Sequence, residues 1–381
     1  PICVYMNTGR LWNKDINENT PGVLTVDVGA YNELLGTSYT ELAARSRSQH
    51  KSQAFGSTGR RGENLEFLEL QVGDPAEKDI FDGINTSWSR VAGGEAIEEM
   101  INSIIAMYDP ANPSAIVSDL LDVRDAISLL KDNYWKPRKI RAIDQLIKGA
   151  MGLYLETTAS NYMASPGENV EIEVEAINRS TIPVKIEMIS FDHLSDTLMS
   201  TDLGYNRSLN FKSQVIIPSE WDYSDPYWLK EEGTLGTYKV DDILLRGTPE
   251  NKPSITIRYS LDIAGTKIIY ESPLTYKWND PVDGELYRPF VIAPPAFVNI
   301  PESVYIFNGD RPKTIELTVK NTTSELNGSV VLEAPKGWEV TPTSIPVSLS
   351  KRGEEQTYKF SVKPPESEAV GDVRGKVMIG T

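Results

Sequence analysis

Apolar and polar positions alternate through most of the second half of this chain. In Asn169–Ile177 every second residue is apolar, the period of a half-buried strand. Pro166-Gly167 supplies a turn before it and Asn178-Arg179-Ser180 one after it. The same reading predicts strands over 182–189, 209–217, 254–263 and 267–271, then over 314–320, 328–333, 338–341, 356–363 and 376–379. Many short strands at this spacing predict two antiparallel sandwiches of immunoglobulin type, 157–286 and 287–381. Asn178 and Asn321 each end a strand, a faint internal repeat.

The period changes over 91–156. Ile97, Met100, Ile101, Ile104, Ile105 and Tyr108 recur at three and four, one face of a helix. Asn112-Pro113 reads as a helix start. Beyond it Ile116, Val117, Leu120, Leu121, Ile127 and Leu130 form a second stripe. A third helix starts near Lys136-Pro137 and carries Ile140, Ile143, Leu146, Ile147, Met151 and Tyr154. Short connections predict a small helical bundle whose stripes are core. Residues 1–90 look α/β: strands over 2–6, 22–28 and 63–72, a loop over 79–88, and a helix from Ser38 to about Phe55, stopped by Gly56. Ser38 and Glu41 have the spacing of a capping box.

Composition narrows the function classes. A chain of 381 residues holds about two to four domains. The net charge of −16 argues against nucleic acid, which needs clustered cations. No apolar run reaches the roughly 20 residues of a membrane span. One cysteine, Cys3, excludes an intrachain disulfide, and two histidines, His50 and His193, leave little for a zinc site. Pro1–Met6 reads as a strand entered midway and Thr381 ends in a strand-like run. The chain is therefore expected to be part of a longer one.

Groups able to grip a polar ligand concentrate in Tyr39–Gly56, which holds Arg45, Arg47, Lys51, three serines, two glutamines and His50. One reading puts Arg47, His50, Lys51 and Gln53 on a substrate pocket. The other packs Leu42, Ala43, Ala54 and Phe55 on the sheet and leaves the basic side solvated. Trp221, Tyr223, Tyr227 and Trp228, interleaved with Asp222 and Asp225, form the most aromatic stretch. They are candidates for stacking on sugar rings, or for packing the end of a sandwich. Asp222, Asp225, Asp241 and Asp242 are oxygen ligands of the kind calcium takes. His193 with Asp192 and Asp196 is a further acid–base or metal candidate, with a surface loop as the alternative.

Three phrases, Val26-Asp27-Val28-Gly29-Ala30-Tyr31-Asn32, Ser46–Gln53 and Phe81–Trp88, resemble long bacterial members of the LmbE/PIG-L family of metal-dependent N-deacetylases. Asp225–Leu229 and Asp280–Pro289 resemble the region that follows the deacetylase domain in those proteins. The last hundred residues look like an immunoglobulin-like module found beside glycosidase domains. The family's zinc motif, Ala-His-Pro-Asp-Asp, is absent, and with it the general base. The resemblance thus implies the C-terminal part of a deacetylase-like domain (1–90), a helical bundle (91–156) and two accessory sandwiches. Catalysis is not expected from this chain alone, because that hydrolysis needs a metal-bound water and a carboxylate. Zinc is expected in an N-terminal half of the same parent, which is the expected partner, and no cofactor in this chain. The implied role is to complete or present an exported enzyme acting on N-acetylated sugars, in the periplasm, at the cell surface or outside the cell. The alternative is a stand-alone carbohydrate-binding or adhesion protein, with a glycan as partner.

Overall fold

The computed structural model describes residues 3–9, 12–191, 194–309 and 311–379. Asp192 and His193, two of the three residues of the acid–base candidate named above, lie outside them, as do Ile2 and Thr381. The chain divides into two compact units, Pro1–Glu98 and Glu99–Thr381.

In the first unit, β1 (Cys3–Thr8) and β2 (Val23–Asp27) flank a longer later strand, in the order β1-β5-β2, all antiparallel. Between them come a two-residue hairpin, β3 (Tyr31–Asn32) and β4 (Thr37–Ser38), and the helix α1 (Tyr39–Arg47); β5 is Leu65–Gly73. Leu24 and Phe67 are buried, and the outer strand β1 leaves Val4 and Met6 exposed. Asp27 closes the β2 end, because its Oδ1 accepts the amides of Gly29 and Asn64, both at 2.8 Å. Gly29 is needed there: a Cβ would stand 2.0 Å from the Gly62 carbonyl oxygen.

The helix α2 (Glu95–Met107) buries Ile97 and Ile104 but exposes Ile105. After a single 3-10 turn over Pro113–Ile116, α3 (Val117–Ser128) packs on α4 (Trp135–Ala150). Ile116, Val117, Leu120, Leu121, Ile127 and Leu130 are all buried, as their spacing predicts. In the stripe of α4, Leu146 is exposed, at 60%. Arg124 and Asp144 form an ion pair of 2.5 Å between the two helices. The Asp144 carbonyl accepts the Tyr270 hydroxyl at 2.9 Å, which ties α4 to the β region.

That region is two sandwich-type layers of antiparallel sheet in succession. The strands β6 (Tyr154–Ala159), β7 (Met163–Ala164), β8 (Asn169–Ile177), β9 (Val184–Phe191), β10 (Ser195–Asp202) and β11 (Ser208–Ile216) come first. They are followed by β12 (Thr256–Ile263), β13 (Thr266–Pro273), β14 (Thr275–Asp280), β15 (Gly284–Pro289) and β16 (Val291–Ile292). They form sheets ordered β10-β9-β12-β13 and β11-β8-β6-β14-β15, with a short β16-β7 ladder. The β6–β14 pair is parallel and the rest of the two large sheets antiparallel. Ile172 and Val174 from one sheet and Ile257 and Leu261 from the other are buried, and Thr157 and Tyr259 share a buried hydrogen bond of 2.5 Å across the layers.

The last sandwich begins with β17 (Ala296–Asn299). It continues with β18 (Lys313–Asn321), β19 (Leu326–Glu333), β20 (Glu339–Thr341), β21 (Ile345–Leu349), β22 (Glu355–Lys363) and β23 (Arg374–Ile379). Its sheets run β17-β18-β22-β20 and β21-β19-β23. Ile315, Leu317, Val330, Leu332, Phe360 and Val362 from both sheets pack in one core. Among the described residues no helix is long and apolar enough to cross a membrane.

Candidate functional site

The helix predicted to reach Phe55 ends at Arg47, eight residues early. The start is as read: the Ser38 side chain accepts from the Glu41 amide and Glu41 Oε2 accepts from the Ser38 amide at 3.1 Å. Hydroxyl chemistry ends it. Ser48 Oγ donates to the Ala44 carbonyl at 2.7 Å and accepts the Ser57 amide at 3.2 Å, so it turns the chain back across the helix. Only one 3-10 turn, Lys51–Gln53, follows, and Ala54 takes a left-handed conformation at φ 55°.

Residues 57–61 then run back as a strap over α1. Thr40 Oγ1 donates to the Arg60 carbonyl at 2.8 Å, and Arg61 pairs with Glu41 at 2.8 Å. Gly59 permits the crossing, since a Cβ there would meet Glu41 Cα at 3.1 Å. Hydrogen bonds from the Ser38 backbone and side chain, with Arg61 nearby, hold the Glu41 carboxyl below the ordinary range. Between helix, strap and the β3–β4 hairpin lies a groove of about 490 Å³, lined by Thr37, Glu41, Arg45, Ser48, Gln49 and Arg61 among others.

Arg47, His50 and Gln53 do come together, but away from that groove. His50 Nδ1 and Gln53 Oε1 are 3.2 Å apart, the His50 and Phe55 ring centres 6.2 Å, and the Arg47 guanidinium lies 5.2 Å from the Phe55 ring centre. All four side chains are exposed. The alternative packing on the sheet is not seen either: Ala43, Ala54 and Phe55 are exposed, and Ala44 is the buried residue of α1. The residues that line the groove, Arg45 and Gln49, sit in the same stretch two and one positions from Arg47 and His50. A helix that ends early shifts which of them face inward.

In the aromatic stretch, Tyr227 and Trp228 meet edge to face at 4.9 Å. The Tyr227 hydroxyl donates to the Thr248 carbonyl at 2.9 Å and its amide to Asn251 Oδ1 at 2.8 Å. Ser224 is fixed by its amide to the Ile292 carbonyl at 2.8 Å. Trp221 is half-buried and Tyr223 exposed. The segment is thus an anchored loop, with half of each of Tyr227 and Trp228 used in packing.

A more regular aromatic row lies where no candidate was named. Tyr276 and Trp278 are two apart on β14 and so share a face. Their rings stack at 5.6 Å and 17°, Tyr162 meets Tyr276 at 6.0 Å, and the Arg288 guanidinium covers Tyr162 at 3.9 Å. Arg288 is the cross-strand partner of Tyr276. On the opposite face Glu156 accepts the Tyr287 hydroxyl at 2.9 Å and pairs with Lys277. Burial works against the Glu156 carboxylate, but hydrogen bonds from Lys277, Tyr154 and Tyr287 outweigh it and its pKa lies below the ordinary value. That cluster is a saturated strand-to-strand clasp.

The C-terminal sandwich carries an end groove of about 730 Å³ between residues 300–309 and 364–373. Phe307 and Trp338 pack edge to face at 5.0 Å at its floor, with Tyr305 beside them. Gly371 lets the second loop close on it, since a Cβ would stand 2.4 Å from Pro335 Cγ. Among the described residues no group of three or more His, Cys, Asp or Glu is placed to hold a metal ion.

Residues 308–379 match the family model described as the NPCBM-associated, NEW3 domain of alpha-galactosidase. No curated protein matches the chain. Solved structures similar to it include a Salmonella alpha-2-macroglobulin, 12% identical over 60% of this chain and 15% of that one, with a TM-score of 0.21. Red sea bream transglutaminase is 12% identical over 65% of this chain and 32% of its own, with a TM-score of 0.26. The sporulation control protein Spo0M of Bacillus subtilis is 11% identical over 55% of this chain and 90% of its own, at 0.20. The chain spans less than a third of the macroglobulin and the transglutaminase. At these TM-scores the likenesses carry no functional reading. The C-terminal sandwich is therefore similar to a carbohydrate-enzyme-associated domain, and the chain as a whole is a β-rich, sandwich-type protein.

Proposed function

We propose that this chain is a non-catalytic accessory region of a carbohydrate-acting enzyme. The observation that carries this reading is the match of residues 308–379 to a domain described from alpha-galactosidase. The finer reading is the C-terminal part of an exported LmbE/PIG-L-type N-deacetylase: a domain remnant over 1–90, a helical bundle over 91–156 and two immunoglobulin-like sandwiches over 157–286 and 287–381. It is motivated by the phrases around Asp27, His50 and Trp88 and by Asp280–Pro289. Its parent's zinc belongs to a part outside this chain, and its partner is that catalytic part. Periplasmic, cell-surface or secreted location follows from the same reading.

Accessory domains raise the local concentration of a catalytic domain on a polymer without adding a chemical step. The expected outcome is that a LmbE/PIG-L-type catalytic domain fused to this chain deacetylates a polymeric N-acetylglucosamine substrate faster than the domain alone. Its rate on the soluble monosaccharide should not change. Equal rates on polymer and monosaccharide, with and without the chain, would sink the reading.

A second reading, a stand-alone carbohydrate-binding or adhesion protein, is favoured by the Tyr162–Tyr276–Trp278 row and, less directly, by Trp221, Tyr223, Tyr227 and Trp228. It predicts glycan binding by the chain without any enzyme. A glycan array on the chain and on Trp278→Ala separates the two readings.

A further inference from the structure

We propose that the groove between α1 and the 57–61 strap is an anion-binding site, taking a carboxylate or phosphate-type oxyanion on a small polar ligand. The inference does not depend on the accessory-region reading, which rests on the opposite end of the chain. It rests on charge, donors and shape.

The chain carries a net charge of −16, yet residues 39–61 hold five cations, Arg45, Arg47, Lys51, Arg60 and Arg61, against one carboxylate, Glu41. The groove receives two of those cations, Arg45 and Arg61, with Glu41 as its single carboxylate. Glu41 does not repel an incoming anion with free charge, because its oxygens already take the Ser38 amide at 3.1 Å, the Ser38 hydroxyl at 3.0 Å and Arg61 at 2.8 Å. Arg45 is differently placed. It is exposed, and its guanidinium donates to the Thr37 hydroxyl at 3.3 Å, which in turn donates to Glu41 Oε2 at 3.4 Å, so Arg45 reaches that carboxylate through a hydroxyl and keeps donors of its own for a ligand. A planar guanidinium with spare donors matches an oxyanion in two-point geometry.

Neutral donors surround it. The Gln49 amide reaches back to the Arg45 carbonyl at 3.5 Å, a long contact that an anion would displace readily. Ser57 completes the wall. At about 490 Å³ the groove has the size of a small-ligand site, while its lining is polar where most such sites are apolar. A polar lining of cations and neutral donors selects a charged, hydrated ligand over an apolar one. The frame is rigid where it matters: the Ser48–Ser57 bond, the Thr40–Arg60 bond and the Gly59 crossing fix the strap over the helix.

Titration calorimetry of the full chain with inorganic phosphate, glucuronate and neutral glucose tests this. Phosphate and glucuronate should bind and glucose should not, and raising NaCl from low concentration to about 0.5 M should weaken the anions several-fold. Arg45→Ala should weaken both anions about ten-fold, the effect of losing a charge-assisted donor pair. Arg47→Ala, facing Phe55 instead of the groove, should leave them unchanged. Arg45 is exposed, so an unchanged thermal melt is expected to accompany the loss. Binding of glucuronate without phosphate would make the ligand a uronic acid, and equal binding of both would make it any small oxyanion. No binding of either anion at tens of millimolar overturns the proposal, and so does equal affinity in Arg45→Ala.

Discussion

At the scale of residues, two asparagines carry the repeat that the sequence only hints at. Asn178 directly follows β8, Asn321 ends β18, and they are 1% and 0% exposed. Each accepts with Oδ1 the amide and the hydroxyl of the residue two further on: Ser180 at 3.0 and 2.8 Å, Thr323 at 2.9 Å twice. Each donates with Nδ2 to two further carbonyls, the nearby Ile182 and the distant Leu203 in one case, Leu349 and Lys351 in the other. One side chain thus closes an Asx turn and satisfies buried carbonyls on returning chain segments. These two buried side chains therefore serve as turn devices. Asn321→Ala or Asn178→Ala strands an amide and carbonyls at once, and the cost should be roughly 2 kcal/mol or more. Urea unfolding measures it, and a loss below about 0.5 kcal/mol would show that water replaces the side chain.

At the scale of elements, legibility followed the number of faces a segment uses. Asn169–Ile177 buries one face and was readable to its end residues, as were the α3 stripe and the capping box at Ser38. The β14–β15 hairpin was not. Tyr276 and Trp278 face one way and Lys277 lies on the Glu156 side, but this alternation covers only two apolar positions and neither face is fully buried, too short a run to mark a strand. The C-terminus of α1 was misplaced for a different reason: Ser48, whose amide and hydroxyl both donate to the Ala44 carbonyl, also accepts the returning Ser57 amide, and side-chain hydrogen bonding of that kind leaves no periodic trace. The groove therefore could not be assigned its residues, although Arg45 and Gln49 were within the stretch singled out.

The N-cap fixes the near wall of that groove. Ser38→Ala should cost about 1 kcal/mol and loosen α1. Acid should act on the same corner. The Glu41 pKa is lowered in the fold, so its contribution is complete above its ordinary value of 4.5 and is lost as pH falls through the lowered value. Hydrogen exchange at α1 amides, followed from neutral pH into that range, should show the helix opening before the sandwiches do. Simultaneous opening of both would place the cap outside the cause.

At the scale of the whole molecule, the consequential contact joins the two sandwiches of the second unit. Arg352, in the turn before β22, donates to the Met163 carbonyl at 3.1 Å, to Glu168 Oε1 at 3.0 Å and to the Thr322 carbonyl. Its side chain is 19% exposed and that of Glu168 20%. Glu168 Oε2 takes the Ser165 amide at 2.7 Å, so the carboxylate is held from both sandwiches. Thr322 also holds the linker between them, its amide donating to the Pro295 carbonyl at 3.2 Å. A joint of this kind ties the two sandwiches together at a point beyond the linker. Without it, the Pro294-Pro295 linker alone would set the angle. In Arg352→Ala the partly buried Glu168 carboxylate loses its counter-charge, which costs more than a surface pair would. Calorimetry should then split one cooperative transition into two, with the last sandwich melting separately. A double-mutant cycle of Arg352→Ala with Glu168→Gln should give a coupling on the order of 1–3 kcal/mol. A single unshifted transition and no coupling would mean that the sandwiches are joined by the linker alone.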